Sequence, residues 1–372
     1  MNILYILPRI TISHGGFQKH FYMEKKGHKI FILGPKLMDN EPDFKKIKHL
    51  NIFYHKIIFE IKKYHFPLSF PIHEINKIVK NYHIDIIHSV MLTSNSTLTS
   101  SFYSKIQNIP FIFSLQGGLP IATGNDFSDL LVNLYTHSLG KIIMSISDKV
   151  IVLSNVLKNK AISLGIPENK IEICPPGIDI NRFNPDNFHK NINNRSPFCV
   201  GFVGRFVPLK GILDLLKACN IVAKEYSIHL LLVGDGPLRK NIQNIANSMG
   251  IPVTITGWVN NPELYYSFMD VFVLPSYSEG FPRTCLEAMA MEKSLIVTDV
   301  GSVKEIIKDG KNGYIIARSK PEDIANKIIN LIENRSLSQK WGIFNRNMVK
   351  NKYTLKQEIS KLENIYFKLI NG

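Results

Sequence analysis

Two carboxylates eight positions apart, Glu279 and Glu287, lie in the stretch 271–291, VFVLPSYSEGFPRTCLEAMAM. The stretch opens on Val271-Phe272-Val273-Leu274, a short apolar run of the kind that forms a buried parallel strand. Pro275, Ser276 and Ser278 end that strand in a loop, which delivers Glu279-Gly280-Phe281-Pro282 to the start of a helix at Arg283 and Thr284. Pro282 suits a helix start, where its missing N–H is an orphan anyway. The amides of Gly280 to Thr284 and the positive end of the helix dipole together favour a phosphate. Carboxylates repel phosphate, so the natural partners of Glu279 and Glu287 are hydroxyls, as on ribose or a sugar. The stretch therefore reads as a pocket for a sugar attached to a nucleotide diphosphate. The plainer alternative is a strand, a turn and a helix with both glutamates solvated.

A second group of polar residues follows the apolar run Phe198–Val203: Gly204-Arg205-Phe206-Val207-Pro208-Leu209-Lys210-Gly211. Arg205 offers a forked donor for phosphate oxygens and Lys210 a compact point charge. Two loop cations are by default solvated, so spacing alone leaves their role open. Nearer the start, Gly15-Gly16 in PRITISHGGF follows the first apolar run and permits close backbone approach to a bound group, although such a pair is more often a plain turn. His88 ends the run DIIHSV, where a histidine either turns outward to a ligand or is structural. Gln116 follows the run ending in Leu115; it can hydrogen-bond a hydroxyl but cannot titrate.

These residues need strands and helices to bring them together. Strands are predicted at Asn2–Leu7, Lys29–Leu33, Ile84–His88, Pro110–Leu115, Lys149–Leu153 and Ile171–Ile173, alternating with helical or loop segments. Further ones are predicted at Phe198–Val203, His229–Val233, Val253–Thr256, Leu295–Thr298 and Tyr314–Ile316. This alternation makes the fold α/β, with parallel sheets covered by helices and ligands at the carboxyl ends of the strands. At 372 residues the chain is long enough for two domains. The polar, Asn-rich stretch 186–197 is the expected linker, giving a first domain over 1–190 and a second over 196–354. The final segment, about 355–372, carries Ile359, Leu362, Ile365, Tyr366 and Leu369 at helical spacing.

The motif Glu279-x7-Glu287 within SEGFPxxxLEAMA, with GRxxxxKG upstream, resembles the signature of the family 4 retaining glycosyltransferases. The likeness is strong from about Val150 onward and looser over the first 140 residues. It implies the GT-B fold: two Rossmann-like domains facing each other across a cleft, with a C-terminal helix crossing back to the N-terminal domain. It implies that Arg205 and Lys210 bind the diphosphate, that Glu279 holds the donor sugar and Glu287 the ribose, and that the backbone at Val259 meets the base. Trp258 beside it either shares that role or packs. Gly16 would approach the diphosphate, and His88 the acceptor. The segment Gln18–Lys26 before Gly27-His28 resembles the family's first helix, about one turn shortened. Gln116 stands where relatives commonly carry a histidine, and Glu292 and Ser294 where they carry glycine and proline.

The implied activity moves a sugar, with retention, from a nucleotide-diphosphate sugar to a hydroxyl of a glycan or lipid-linked acceptor, with no cofactor and no metal. A sugar phosphorylase or epimerase of the same fold, and a non-catalytic nucleotide-sugar binder, are the alternatives. The four cysteines have neither paired nor metal-like spacing, MNILYIL reads as a first strand and not a leader, and no apolar run reaches membrane-spanning length. A cytoplasmic enzyme is expected. The net charge of +15 fits an anionic membrane surface at its inner face better than nucleic acid, since the basic residues lack aromatic interleaving. Part of that charge reflects a Lys-, Ile- and Asn-rich composition.

Overall fold

The computed structural model describes residues 1–8, 14–35, 50–61, 66–90, 95–115, 134, 138–188 and 197–371. Contacts divide the chain into two compact units, Met1–Pro175 with Glu358–Gly372, and Pro176–Gln357. The division falls earlier than the expected boundary near 190, because the segment after Pro175 is tied into the second unit. There Arg182 pairs with Glu263 at 2.7 Å, and the buried Arg346 donates to Phe183 O at 2.9 Å. Most of the expected linker, 189–196, lies outside the described residues.

In the first unit the elements run β1 (Asn2–Ile6), α1 (His14–Lys25), β2 (Lys29–Pro35), β3 (Asn51–His55), β4 (Phe59–Ile61), β5 (Phe66–Leu68), α2 (Ile72–Tyr82), β6 (Ile86–Val90), α3 (Asn95–Gln107), β7 (Phe111–Leu115), α4 (Leu139–Ile146), β8 (Lys149–Val152), α5 (Asn155–Ser163) and β9 (Ile171–Ile173). Seven strands form one parallel sheet in the order β3-β2-β1-β6-β7-β8-β9, and β4 and β5 pair as a separate antiparallel ribbon. The central strands β1, β6 and β7 are buried almost throughout, as a sheet covered on both sides requires, with His88, Ser89 and Ser114 as buried polar residues among apolar ones. The edge strand β3 and the short β4–β5 ribbon have no sequence counterpart above, since NIFYH is only partly buried.

Two expectations about this unit are corrected. The first helix starts earlier than Gln18: α1 begins at His14, so Gly15 and Gly16 belong to its first turn and not to a loop before it. Strand β6 does not end at His88 but continues to Val90, so His88 faces the interior at 0% exposure. Its ring nitrogens meet the Tyr366 hydroxyl at 2.5 Å and Ser114 Oγ at 2.6 Å, and Tyr366 in turn meets the Tyr5 hydroxyl at 2.7 Å. Burial holds the imidazole well below its usual value, so it is neutral, and both nitrogens are engaged within the protein. Gln116 lies outside the described residues.

The second unit continues with β10 (Phe198–Val203), α6 (Ile212–Val222), β11 (Ile228–Val233), α7 (Arg239–Met249), β12 (Val253–Ile255), α8 (Pro262–Phe268), β13 (Val271–Leu274), α9 (Arg283–Ala290), β14 (Ser294–Thr298), α10 (Val303–Ile306), β15 (Tyr314–Ile316), α11 (Pro321–Glu333) and α12 (Arg335–Lys352). Its six strands are parallel in the order β12-β11-β10-β13-β14-β15. Helix α6 buries Ile212, Leu215, Leu216, Cys219 and Val222, the face expected from their spacing. Glu292, just past α9, has φ +57°, a left-handed conformation that glycine adopts freely and an L-residue pays about 1–2 kcal/mol to hold. A glycine, which the family resemblance implies at this position, would hold that backbone conformation without the cost.

The last helix, α13 (Leu355–Asn371), returns to the first unit from Glu358 onward. It buries Ile359, Leu362, Ile365 and Tyr366, and Glu363 receives His28 Nε2 at 2.9 Å as well as the Lys26 ammonium at the end of α1. All four cysteines are buried free thiols. Among the described residues no helix is long and apolar enough to cross a membrane.

Candidate functional site

The carboxyl end of β13 is the centre of the second sheet, because its neighbours β10 and β14 deliver a loop on either side of it. From the β10 side, Gly211 takes φ +65°, and a Cβ on it would come within 2.0 Å of Pro275 O. Tyr277 N donates to Leu209 O at 2.8 Å, and the Tyr277 hydroxyl donates to Asp214 Oδ2 at 2.6 Å. From the β14 side, Gly301 takes φ +54°, where a Cβ would meet Glu279 O at 2.3 Å. Ser302 donates from its amide and its hydroxyl to Gly280 O, at 3.1 and 3.0 Å. The loop that carries Glu279 and Gly280 is therefore fixed from both flanks by backbone contacts that no larger residue at 211 or 301 would permit.

Within this frame Lys210 Nζ donates to Glu279 Oε1 at 2.6 Å, and Ser276 Oγ donates to the same oxygen at 2.7 Å. Both bonds go to one carboxylate oxygen. Arg205 stands exposed on the same loop as Lys210, two residues past β10. Phe281 and Pro282 are buried, and Pro282 caps α9 without offering a side-chain acceptor to the first-turn amides at Arg283 and Thr284.

Glu287 lies one turn along the same helix. Its Oε2 accepts from the Tyr266 hydroxyl at 3.0 Å, and Arg283 Nε lies 3.8 Å from Oε1. Burial raises the Glu287 carboxyl above the usual carboxylate value; Arg283, the Tyr266 hydrogen bond and Arg182 pull the other way without cancelling it. Cys285, buried on α9 between Glu279 and Glu287 in the sequence, is in electrostatic reach of Glu279, Lys210 and Glu287. Burial keeps that thiol protonated well above its ordinary value, so it is a packing residue and no nucleophile.

Val259 is half-buried on the loop after β12, two residues past the bridge between Gly257 and Gly234. Trp258 is 59% exposed, so it does not pack into the core. Among the described residues no group of three His, Cys, Asp or Glu is placed to hold a metal ion. Sequence reasoning missed Tyr266, Ser276, Asp214 and Arg182. Tyr266 sits in PELYYSF, an ordinary helical pattern, and nothing local marks its hydroxyl as the partner of a carboxylate 21 positions on.

Comparison with known proteins agrees with this frame. Residues 183–348 match the model of the glycosyl transferases group 1, and residues 21–182 that of Glycosyltransferase Family 4. The chain is 31% identical over 289 residues to the capsular polysaccharide biosynthesis glycosyltransferase CapM of Staphylococcus aureus, covering 74% of each chain. It is 27% identical over 271 residues to an N,N'-diacetylbacillosaminyl-diphospho-undecaprenol alpha-1,3-N-acetylgalactosaminyltransferase of Campylobacter jejuni, covering 70% of this chain and 71% of that one. The crystal structure of Anabaena HepE in complex with UDP superposes with a TM-score of 0.78 at 17% identity, over 99% of this chain and 100% of that one. Two parallel sheets, the residues matched along both units and these likenesses together make the chain a member of the family 4 glycosyltransferases, with the GT-B fold.

Proposed function

We propose that this glycosyltransferase moves a sugar, with retention of anomeric configuration, from a nucleotide-diphosphate sugar to a hydroxyl of a glycan or lipid-linked acceptor in surface polysaccharide synthesis. The observation that carries this reading is the meeting of Lys210 and Glu279 at 2.6 Å beside the open first turn of α9, with Glu287 on that same helix. Lys210, Arg205 and the amides from Gly280 to Thr284 stabilise the diphosphate as the glycosidic bond breaks. Glu279 turns its Oε2 to a donor-sugar hydroxyl, and Glu287 accepts from the ribose. The sugar C1–O bond to the β-phosphate breaks, the acceptor oxygen bonds C1 on the same face, and its proton passes to the departing phosphate oxygen. The capsular polysaccharide biosynthesis named for the Staphylococcus relative and the diphospho-undecaprenol substrate named for the Campylobacter one support the acceptor class, and the UDP in the HepE complex supports the donor class. The net charge of +15 supports work at the inner, anionic membrane face.

The test is transfer from a panel of nucleotide sugars to an undecaprenyl-diphosphate sugar, with the product anomer read by NMR. The expected product keeps the donor's configuration, and turnover persists in EDTA because the protein's own cations carry the leaving-group charge. An inverted product, or activity abolished by EDTA and restored by a divalent ion, would overturn this mechanism.

Glu287→Gln is expected to weaken UDP-glucose binding by about 10- to 100-fold, the usual effect of losing a charged hydrogen-bond partner. The wild type should bind less tightly as pH falls through the raised Glu287 value, because protonation removes an acceptor while the esterified diphosphate keeps its charge. That acid limb should vanish in the variant. The sign for stability is opposite. The folded carboxyl holds its proton more tightly than the unfolded one, so ionisation destabilises the fold as pH rises through that value. Without ligand, Glu287→Gln should therefore melt higher than wild type near neutral pH, with the gain fading below the unfolded-state carboxyl value.

A further inference from the structure

The segment that leaves the first unit, Gly177–Asn184, is fastened to the groups that surround Glu287. Gly177 O accepts from Arg283 Nη2 at 2.9 Å. Arg182 Nη2 donates to Glu263 Oε2 at 2.7 Å and to Asn260 O at 2.8 Å. The Phe183 ring meets the Tyr266 ring edge-on with centroids 6.1 Å apart. The far end is anchored by Arg346, which donates to Phe183 O at 2.9 Å and Asn184 Oδ1 at 2.6 Å. Three of the side chains it touches, Arg283, Glu263 and Tyr266, act on Glu287 through space or by a bond.

We propose that Tyr266 and the strap Gly177–Asn184, through Arg182, are positioning elements of the nucleotide site, holding the Glu287 carboxylate in the orientation and charge state that meets a ribose. The proposal rests on the reading of Glu287 as the ribose acceptor. Tyr266 is wholly buried, and its hydroxyl also lies 3.2 Å from Thr284 O in the first turn of α9, so it fixes both the carboxylate and the helix that carries it. Phe183 packs edge-on against that ring, so the strap also limits its movement. Arg182 acts in two ways: it brings a cation toward Glu287 and neutralises Glu263, whose charge would otherwise bear on Glu287. The charged and titratable groups facing Glu287 are Arg283 and Cys285 on its own helix, Tyr266 and Glu263 on α8, and Arg182 on the strap. Of these, Arg283, Tyr266 and Arg182 favour the ionised carboxylate. Arg182 also binds the carbonyl of Asn260, next to Val259, so the strap fixes the loop proposed for the base as well as the group proposed for the ribose.

The experiment is equilibrium binding of UDP-glucose across pH for the full-length wild type, Tyr266→Phe, Arg182→Gln, Glu287→Gln and the double variant Tyr266→Phe/Glu287→Gln, with melting temperatures alongside. Tyr266→Phe should weaken binding about three- to tenfold near neutral pH, part of the effect of a hydrogen bond to a charged group. It should also move the acid limb to higher pH, because the ionised form has lost a donor. Arg182→Gln should shift the limb in the same direction. In the Glu287→Gln background Tyr266→Phe should weaken binding less than it does in the wild type, since the carboxylate it orients is gone. A lowered melting temperature with the limb in place would make Tyr266 merely structural and overturn the proposal, as would equal weakening in both backgrounds. Both results leave the reading of Glu287 intact. A Glu287→Gln enzyme that binds as tightly as wild type would instead remove that reading, and the proposal with it.

Discussion

Lys210→Ala is expected to lower the turnover of sugar transfer by at least about a hundredfold, the scale on which lost transition-state charge stabilisation is usually felt. Two effects add. The ammonium is withdrawn from the departing diphosphate, and the Glu279 carboxylate, only 11% exposed and bonded to Lys210 at 2.6 Å, is left without its counter-charge. An uncompensated carboxylate at that place repels the phosphates that the site must hold. The second effect can be separated from the first. In the double variant Lys210→Ala/Glu279→Gln the stray anion is gone, so turnover should exceed that predicted by adding the two single losses, as expected for residues in direct contact. Lys210→Arg should not restore the wild type. Its planar fork cannot replace a point charge that shares Glu279 Oε1 with Ser276 Oγ, 2.7 Å from that oxygen. Steady-state release of nucleotide with matched donor binding measurements reads all three. Turnover of Lys210→Ala within tenfold of wild type would take Lys210 out of the chemistry.

The contact behind that expectation shows what a sequence discloses and what it withholds. The β13–α9 unit was legible because it is contiguous: an apolar strand, a loop ended by Pro282 and a helix are local facts. Lys210 and Glu279 are 69 positions apart, and no spacing rule joins them. They meet because β10 and β13 are neighbours in the sheet, a consequence of strand order that only the assembled fold expresses. His88 illustrates the opposite failure. DIIHSV looks like a strand ending at a polar residue, but Ser89 and Val90 extend it, and Tyr5, Ser114 and Tyr366 supply a buried polar environment drawn from two other strands and the last helix. Tyr366 was visible as one residue of an apolar stripe; that its hydroxyl would be wanted inside was not, because a helical pattern records which face is buried and not what it meets. The start of α1 escaped for a local reason. Gly15-Gly16 reads as a turn by propensity, yet a helix tolerates glycine at about 1 kcal/mol each when the surrounding fold favours it.

Gly211→Ala is expected to destabilise the second unit by about 3–5 kcal/mol, placing it among the severe single substitutions. The left-handed backbone alone, φ +65°, accounts for about 1–2 kcal/mol of this. The remainder comes from contact: the new methyl would lie 2.0 Å from Pro275 O and 2.9 Å from Pro275 C, main-chain atoms that cannot rotate aside. Either the exit of β13 or the turn Pro208–Lys210 must shift; the bond from Tyr277 N to Leu209 O joins those two segments directly, and the Tyr277 hydroxyl ties the same exit to Asp214 in the first turn of α6. Gly250 supplies the control. It has nearly the same φ, +66°, at the end of α7, but nothing lies within 4 Å of where its Cβ would stand. Gly250→Ala should therefore show the backbone part alone. Urea unfolding followed by tryptophan fluorescence, with Trp258 and Trp341 both in this unit, gives the comparison. At temperatures where Gly211→Ala remains folded it should also transfer sugar more slowly, because the displaced turn carries Lys210, whereas Gly250→Ala should not. Equal losses of stability in the two variants would mean that the packing of Gly211 on Pro275 contributes nothing, and that the loop bearing Glu279 is held in place by other means.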